Sequence, residues 1–230
     1  MNKNYTIIFF MLVAADLFFQ FFGFNILLLI AKNSIPVFLI YTLVKSKNHT
    51  FDFSDRLLLA AFILLIAGLN FSYFFYEKSI YLPGITIIYF FEIQIHIYLV
   101  LSILKKQKNQ ETKILTKTFI IFSLGLFFII VFFPLFSFPV QILFFIRVFQ
   151  YAYFISIVFG NKRVNTHISL SLWFIIQSNI LLLVDMVIWH YNFEYAFIML
   201  FFYTSKYFYL SGYIKMRLPK SKNPVTAHNL

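Results

Sequence analysis

Residues 82–117 read LPGITIIYFFEIQIHIYLVLSILKKQKNQETKILTK, a long apolar run that ends in a cluster of lysines. The apolar part, 82–104, exceeds the roughly 20 residues that an α-helix needs to cross the hydrocarbon core of a bilayer. The lysines that follow are typical of a cytoplasmic loop, where positive charge is enriched. The segment therefore predicts a transmembrane helix that ends in the cytoplasm.

The same pattern recurs along the whole chain of 230 residues. Seven further apolar stretches of similar length are separated by short connections, which leave little room for a soluble domain. The predicted spans are 5–23, 26–43, 55–74, 82–104, 117–133, 140–159, 167–189 and 195–213. The sequence thus predicts an all-α polytopic integral membrane protein with one eight-helix transmembrane domain, 1–218, and a polar, disordered cytoplasmic tail, 219–230.

The connections between the predicted spans are alternately rich and poor in positive charge, so most cations lie on one side of the membrane. One side carries Lys3, Lys45, Lys47, Arg56, Lys105, Lys106, Lys108, Lys113, Lys117, Lys162, Arg163, Lys215, Arg217, Lys220 and Lys222. The other side has Lys78, and Lys32 lies early in the second span. The positive-inside rule then predicts that both termini are cytoplasmic, in the inner (plasma) membrane of the cell, and that the number of spans is even.

The net charge of +11 does not predict a nucleic-acid-binding protein. Its cations border apolar helices, and no soluble fold is available to display them along a groove. Anionic lipid of the inner leaflet is the expected partner of the basic loops. Cysteine is absent, which excludes disulfides and thiolate metal ligands.

The positions of the prolines indicate whether the chain has the interrupted helices that are typical of transporters. Pro36, Pro83, Pro134 and Pro139 are predicted near span ends, where they start or stop helices without breaking a central hydrogen-bond ladder. Transporters often bind their substrates between helices interrupted by Gly or Pro in corresponding positions. The sequence therefore favours a transporter less than the other functions considered below.

Ionisable and strongly polar residues interrupt several predicted spans. They are Asp16, Asn70, Glu92, His96, Arg147, Gln150, Gln177, Asn179, Asp185 and Lys206. Such side chains are costly in hydrocarbon and usually face a partner, a cavity or a substrate. Most lie in the middle half of their spans, which predicts a shared polar pocket near the midplane of the bilayer.

Glu92 and His96 are four residues apart, so they lie on one face of the fourth span. The carboxylate can orient the imidazole or tune its proton affinity, which permits acid–base chemistry. The alternative is an ordinary interhelical hydrogen bond. One Glu beside one His is only a weak indication of a metal site, and no metal or other cofactor is predicted.

Arg147 shares a helix face with Gln150 and Tyr151, and an Arg at this depth needs a carboxylate or an anionic ligand such as a lipid phosphate. Lys206 in the last span would permit a Schiff base to retinal. Eight spans with a cytoplasmic N-terminus do not fit retinal proteins, however, so pairing of Lys206 with a carboxylate is the preferred interpretation.

Several segments carry a resemblance to a known family. They are Lys32 and Asn33 before Pro36, Gly68 to Asn70, Glu92 to Tyr98, Arg147 to Ser156, Phe174 to Asp185, and the Tyr-rich stretch around Tyr203. Because these segments occur in this order along the sequence, the chain resembles the YhhN family of eight-span membrane proteins, which includes lysoplasmalogenases. The resemblance implies a YhhN-like bundle that binds a lysophospholipid such as a lysoplasmalogen and cleaves its vinyl ether.

The chain departs from this family at the residues that the resemblance implies to be catalytic. The family typically has a Gly-Asp pair in the third span and a Ser-Asp pair in the seventh, where this chain has Asn70 and Asn179. Vinyl-ether hydrolysis needs a general acid and a base or electrostatic stabiliser, and an amide cannot transfer the proton. Glu92 and Asp185 are possible replacement acids, although Asp185 points about 120° away from Asn179 around the helix.

Three functions follow as hypotheses. The first is a lysoplasmalogenase-like hydrolase with catalytic Glu92, His96 and Asp185. The second is a non-catalytic lipid-binding or sensing protein on the same scaffold, and the third is a small transporter. The predicted ligand-binding residues are Asn70, Arg147, Asn179, Tyr203 and Lys206.

Overall fold

The computed structural model describes residues 3–47, 51–75, 78, 80–104, 111–130, 137–162, 164–187 and 194–217. Within them the chain forms eight α-helices and no strand. These are α1 (Lys3–Phe21), α2 (Asn25–Ser46), α3 (Phe53–Phe75), α4 (Tyr81–Leu104), α5 (Glu111–Ile130), α6 (Phe138–Gly160), α7 (Thr166–Val187) and α8 (Glu194–Arg217). The predicted tail 219–230, Lys105, Lys106, Lys108, Arg163, Lys220 and Lys222 lie outside the described residues, as do 131–133 and 188–189 of the predicted spans.

The all-α prediction is confirmed, and each predicted span overlaps one helix. Six helices are long and apolar enough to cross a membrane, namely α1, α2, α3, α4, α6 and α7. This is consistent with a multi-pass integral membrane protein. The described side chains of α5, Ile114–Leu126, also form an apolar stretch, and α8 is more polar than the other helices.

The polar character of α8 is explained by its position. From Phe202 to Ile214 every residue except Phe208 is buried, including Thr204, Lys206 and Ser211. The helix packs along α7 and also contacts α1 and α2. A helix surrounded by protein can satisfy polar side chains with neighbouring groups, whereas a helix that faces lipid cannot. Low hydropathy in α8 therefore reflects a central position.

The other helices pack mainly with their neighbours in the chain. The contacting pairs are α1–α2, α2–α3, α3–α4 and α5–α6, and α4 also packs against α6. By contrast, α6 and α7 make few contacts although they are consecutive. Large apolar side chains such as Met11, Ile63 and Trp173 are exposed on the periphery, which is typical of a surface that faces lipid.

One end of the bundle carries most of the described cations outside the helix interiors, and we call it the basic end. It includes Lys45, Lys47, Arg56, Lys117, Lys162, Lys215 and Arg217. Helices α1, α3, α5 and α7 begin there, and α2, α4, α6 and α8 end there, so that successive helices alternate in direction.

Pro36 is not near the end of a helix, so that prediction was wrong. It lies buried near the midpoint of α2, which continues through it. Since proline has no N–H, the carbonyl oxygen of Lys32 loses its usual helical donor. This supplies one central helix irregularity. The described helices contain no second internal proline in a corresponding position, so the paired pattern of transporters is still not seen.

Gly212 marks a close approach of α8 to α7. A Cβ atom at this position would lie 2.6 Å from Ile168 Cγ1 and 2.9 Å from the Ile168 backbone nitrogen. Backbone cannot move aside as a flexible side chain can, so even a methyl group must separate the two helices. Glycine at 212 therefore fixes the distance between α7 and α8.

We expect Gly212→Ala to lower the free energy of unfolding by about 1–3 kcal/mol, the usual cost of overpacking. Denaturant unfolding of the purified protein in detergent micelles measures the loss. Gly160→Ala is the matched control, because a Cβ there would meet only Lys117 Nζ at 4.0 Å. If Gly212→Ala is as stable as Gly160→Ala, the close approach does not limit packing.

Candidate functional site

The central feature of the interior is an ion pair between α4 and α8. Lys206 Nζ lies 2.7 Å from Glu92 Oε1, with 3% of the lysine side chain and none of the glutamate side chain exposed. Both residues lie at the midpoints of their helices, about 17 Å from either helix end. The prediction that Lys206 pairs with a carboxylate is confirmed, and Glu92 is the partner.

His96 lies one turn from Glu92 on the same buried face of α4, as their spacing indicates. Its ring stacks on Tyr209 with the ring centres 3.9 Å apart, and the Tyr209 hydroxyl donates to the His96 carbonyl at 2.9 Å. His96 Nε2 and Glu92 Oε2 are buried and have no hydrogen-bond partner among the described groups. These two predicted catalytic residues therefore lie together, and each has a polar atom without a hydrogen-bond partner among the described groups.

Arg147 belongs to a network between α6 and its neighbours. Its guanidinium donates to the Tyr151 hydroxyl at 3.1 Å and lies 3.5 Å from Gln150 Oε1. Gln150 Nε2 donates across to α4, to the Phe90 carbonyl at 2.8 Å and to Gln94 Oε1 at 3.2 Å. Among the described residues, Arg147 has no carboxylate within 4 Å. Its contacts with these described residues are to neutral groups.

Asn179 and Asn70, the two amides that replace the family acids, lie in different places. Asn179 Nδ2 donates to the Tyr151 hydroxyl at 3.0 Å and to the Ile175 carbonyl at 2.6 Å, so Tyr151 links it to Arg147. Asn70 instead forms a reciprocal amide pair with Asn33 of α2, with N···O distances of 2.8 and 3.1 Å. The sequence indicated neither pairing.

A second cluster of charged groups lies between the midpoint and the end opposite the basic end. Asp16 of α1 is fully buried and accepts a hydrogen bond from the Tyr195 hydroxyl at 3.3 Å. Lys32 interacts electrostatically with Asp16 and lies 5.0 Å from the centre of the Tyr195 ring. Tyr203 is near Asp16, but neither its hydroxyl nor Asp16 Oδ1 has a well-aligned partner. The predicted ligand residue Tyr203 thus belongs to this cluster, and it lies three residues before Lys206 on α8.

Asp185 is buried near the end of α7, with 6% of its surface exposed. It lies toward the end opposite the basic end, while Glu92 and His96 lie near the midpoint of α4. The predicted catalytic residues are therefore not all at one depth. The predicted shared pocket stays a prediction.

A third group of polar residues, which sequence reasoning missed, links α2, α3 and α8. This basic-end cluster consists of Lys47, Asp52, Asp55, Tyr213 and Arg217. Asp55, only 1% exposed, accepts from the Tyr213 hydroxyl at 2.8 Å and from Lys47 Nζ at 3.1 Å. Asp52 accepts from Arg217 at 2.8 Å. The cluster joins the end of α8 to the connection between α2 and α3.

The signal for this cluster was present at the start of α3. Asp52 and Asp55 are three residues apart, and each accepts a hydrogen bond from the other's backbone N–H, at 2.9 and 3.2 Å. This reciprocal arrangement resembles a capping box. Burial tends to raise the pKa of Asp52, but the Asp55 N–H and Arg217 together hold it below its usual value. The contribution of Asp52 to stability is present above the ordinary aspartate pKa and is lost as the pH falls through the lowered value.

Comparison with known proteins adds no relative. No family model matches this sequence, and no curated protein or solved structure is significantly similar to it. The resemblance to the YhhN family stays a prediction. Over the described part of the chain, no group of three or more His, Asp or Glu side chains is placed to hold a metal ion.

Proposed function

We propose that this protein is an eight-span membrane protein of YhhN-like fold that binds a lysophospholipid-like molecule through its phosphate without hydrolysing it. Both termini would face the cytoplasm, at the inner membrane. The gathering of cations at the basic end supports this orientation. Helix α5 has 20 residues and α8 has 24, so both are long enough to cross the bilayer. Burial of α8 compensates for its polarity.

The observation that carries the proposal is Arg147. It lies close to the midpoint of α6 and contacts Tyr151 and Gln150, both neutral, with no ion-pair carboxylate among the described residues. Other interior cations have anionic neighbours, since Lys206 pairs with Glu92 and Lys32 lies near Asp16. An Arg at this depth is stabilised by an anion, and its planar guanidinium suits the oxygens of a phosphate.

The position of Arg147 also suits a lipid ligand. It is half-buried, and it lies beside the sparsely packed boundary between α6 and α7, which the Asn179–Tyr151 hydrogen bond bridges. A lysolipid with a single acyl chain could approach along this boundary from the bilayer. Its chain would contact apolar helix surface while its phosphate reached Arg147.

The two amides favour binding over catalysis. Asn70 is engaged by Asn33, and Asn179 by Tyr151 and a backbone carbonyl, so both have hydrogen-bond partners within the protein. Neither can donate the proton that opens a vinyl ether. Hydrolysis is kept as a second candidate function because of Glu92 Oε2 and His96 Nε2, which are buried near each other without partners. A carboxylate and an imidazole in that position are suited to proton transfer.

Binding tests the role of Arg147. We expect Arg147→Gln to weaken the binding of lysophosphatidylethanolamine to the purified protein by about tenfold or more, because a charge-assisted hydrogen bond to phosphate is lost. Native mass spectrometry or calorimetry in detergent measures the affinity. Arg56→Gln is the matched control, since Arg56 is an exposed residue of the basic end. Equal affinities of the two variants would contradict the proposal.

Aldehyde release tests catalysis separately. We expect no release from a lysoplasmalogen by the unmodified protein, with a known active lysoplasmalogenase as the assay control. Release by the double variant Asn70→Asp, Asn179→Asp would identify a hydrolase that has lost its acids. Release by the unmodified protein would contradict the non-catalytic proposal and make Glu92→Gln and His96→Gln the next variants.

A further inference from the structure

Central helix α8 carries hydrogen-bonding side chains along most of its length. They are Tyr195, Tyr203, Lys206, Tyr209 and Tyr213. From Tyr195 to Tyr213 the helix rises about 27 Å, which is close to the roughly 30 Å thickness of the hydrocarbon core. The last four are buried and recur every three or four residues, so they form one stripe inside the protein.

Each part of this stripe contacts an ionisable residue on another helix. The contacts, from the opposite end to the basic end, are Tyr195 with Asp16, Lys206 with Glu92, Tyr209 with His96, and Tyr213 with Asp55. Asp55 in turn bonds to the backbone of Asp52, a half-exposed residue of the basic end. Helices α1, α3 and α4 therefore supply acids or bases along nearly the whole stripe.

Four polar atoms beside the stripe lack a well-aligned hydrogen-bond partner among the described groups. They are Asp16 Oδ1, Tyr203 Oη, Glu92 Oε2 and His96 Nε2. Of these, Asp16 and Tyr203 interact with each other through their side chains. All four residues are at most 4% exposed. Buried polar atoms in stable proteins are nearly always satisfied, commonly by internal water. Four such atoms in the central part of one stripe indicate a place where water and exchangeable protons are held.

We propose that the stripe along α8 is a proton pathway across the membrane, with Asp16, Tyr203, Glu92 and His96 as its central relay. Asp16 takes a proton from the end opposite the basic end. Tyr203 and internal water pass it to the neighbourhood of Glu92 and His96 Nε2. It then leaves past Tyr209 and Tyr213 to Asp55.

Every transfer in this pathway breaks one O–H or N–H bond and forms another, so no oxidant or other reactant is needed. The relay is flanked by further titratable or charged groups that act on it electrostatically, namely Tyr89 of α4, Arg147 and Tyr151 of α6, and Lys32 of α2. The positive charges of Arg147 and Lys206 oppose a second excess proton beside them.

The pathway predicts proton flux through the purified full-length protein in liposomes. A pH-sensitive dye is enclosed in the vesicles, and a potassium gradient with valinomycin sets the membrane potential. We expect proton entry well above that of protein-free liposomes. Tyr203→Phe and Asp16→Asn should each lower it by about tenfold or more, since each removes a proton-transferring group.

Tyr98→Phe is the matched control, because Tyr98 is 50% exposed on the periphery of α4 and should conduct like the unmodified protein. Tyr203→Phe keeps the ring and removes only a hydroxyl whose contact with Asp16 is poorly aligned, so the variant is expected to fold, which circular dichroism checks. The proposal is overturned if the unmodified protein conducts no faster than protein-free liposomes that a protonophore shows to be sealed. It is also overturned if Tyr203→Phe and Asp16→Asn both conduct like the control. Lipid binding at Arg147 is measured separately and does not depend on either result.

Discussion

Replacing Lys206 by methionine is expected to lower the free energy of unfolding by about 3–5 kcal/mol, because it leaves the carboxylate of Glu92 buried without its counter-charge. Glu92 has no exposed surface, and Lys206 Nζ, at 2.7 Å, is its only ion-pair partner in the described part of the chain. Methionine keeps most of the length and apolar volume of lysine, so the loss reports the charge rather than a cavity.

The double variant Glu92→Gln, Lys206→Met should recover most of this loss. Replacing a whole buried ion pair by neutral groups of similar shape is often nearly neutral, whereas removing one partner is not. Denaturant unfolding in detergent micelles measures both variants. Lys45→Met is the control, since Lys45 is an exposed lysine in the last turn of α2. A Lys206→Met loss no larger than that of Lys45→Met would show that the interior tolerates the unpaired carboxylate.

The second large effect is expected at the basic-end cluster. Asp55→Ala should cost about 2–4 kcal/mol, because it removes a buried acceptor and leaves the Tyr213 hydroxyl, which is fully buried, without a partner. It also removes the ion pair with Lys47. The same unfolding experiment measures the loss. Asp55→Asn should cost less, since an amide oxygen can still accept from Tyr213.

Asp52 offers the matched control for this prediction. It is also an ion-paired aspartate of the cluster, but half of its side chain is exposed. Solvent screens its interaction with Arg217, so Asp52→Asn should change the free energy of unfolding by less than about 1 kcal/mol. If Asp52→Asn and Asp55→Ala have equal effects, burial does not decide the contribution of these carboxylates.

Much of the fold could be predicted from the sequence because lipid exposure leaves a simple pattern. Each apolar run had to form a helix, since no other open structure satisfies its backbone in hydrocarbon. The position of α8 could not be predicted in this way. Considered alone, α8 is polar for a membrane-spanning helix. Only the helices packed around it show how Lys206 and the tyrosines of α8 are satisfied.

The sequence predicted which site residues are neighbours within one helix, but not which residues contact each other between helices. Helical spacing correctly grouped Glu92 with His96, and Arg147 with Gln150 and Tyr151, because neighbours within one helix follow from geometry. Contacts between helices depend on rotation and tilt, which the sequence does not specify. The Glu92–Lys206 pair, the Asn33–Asn70 pair and the basic-end cluster are all contacts of that kind. The roles of Asp52 and Asp55 depend on Tyr213 and Arg217 of α8, which are distant in sequence.

The burial of α8 has a consequence for biogenesis. This helix follows the seven others along the chain, so it leaves the ribosome after they have been made. Until it arrives, Glu92 and Asp55 lack the partners that it brings. A lysine at the centre of an isolated helix costs about 2.5–3.5 kcal/mol during insertion by the translocon. As the last helix of the proposed eight-span bundle, α8 should therefore insert only if the earlier helices stay incompletely packed until it has been made.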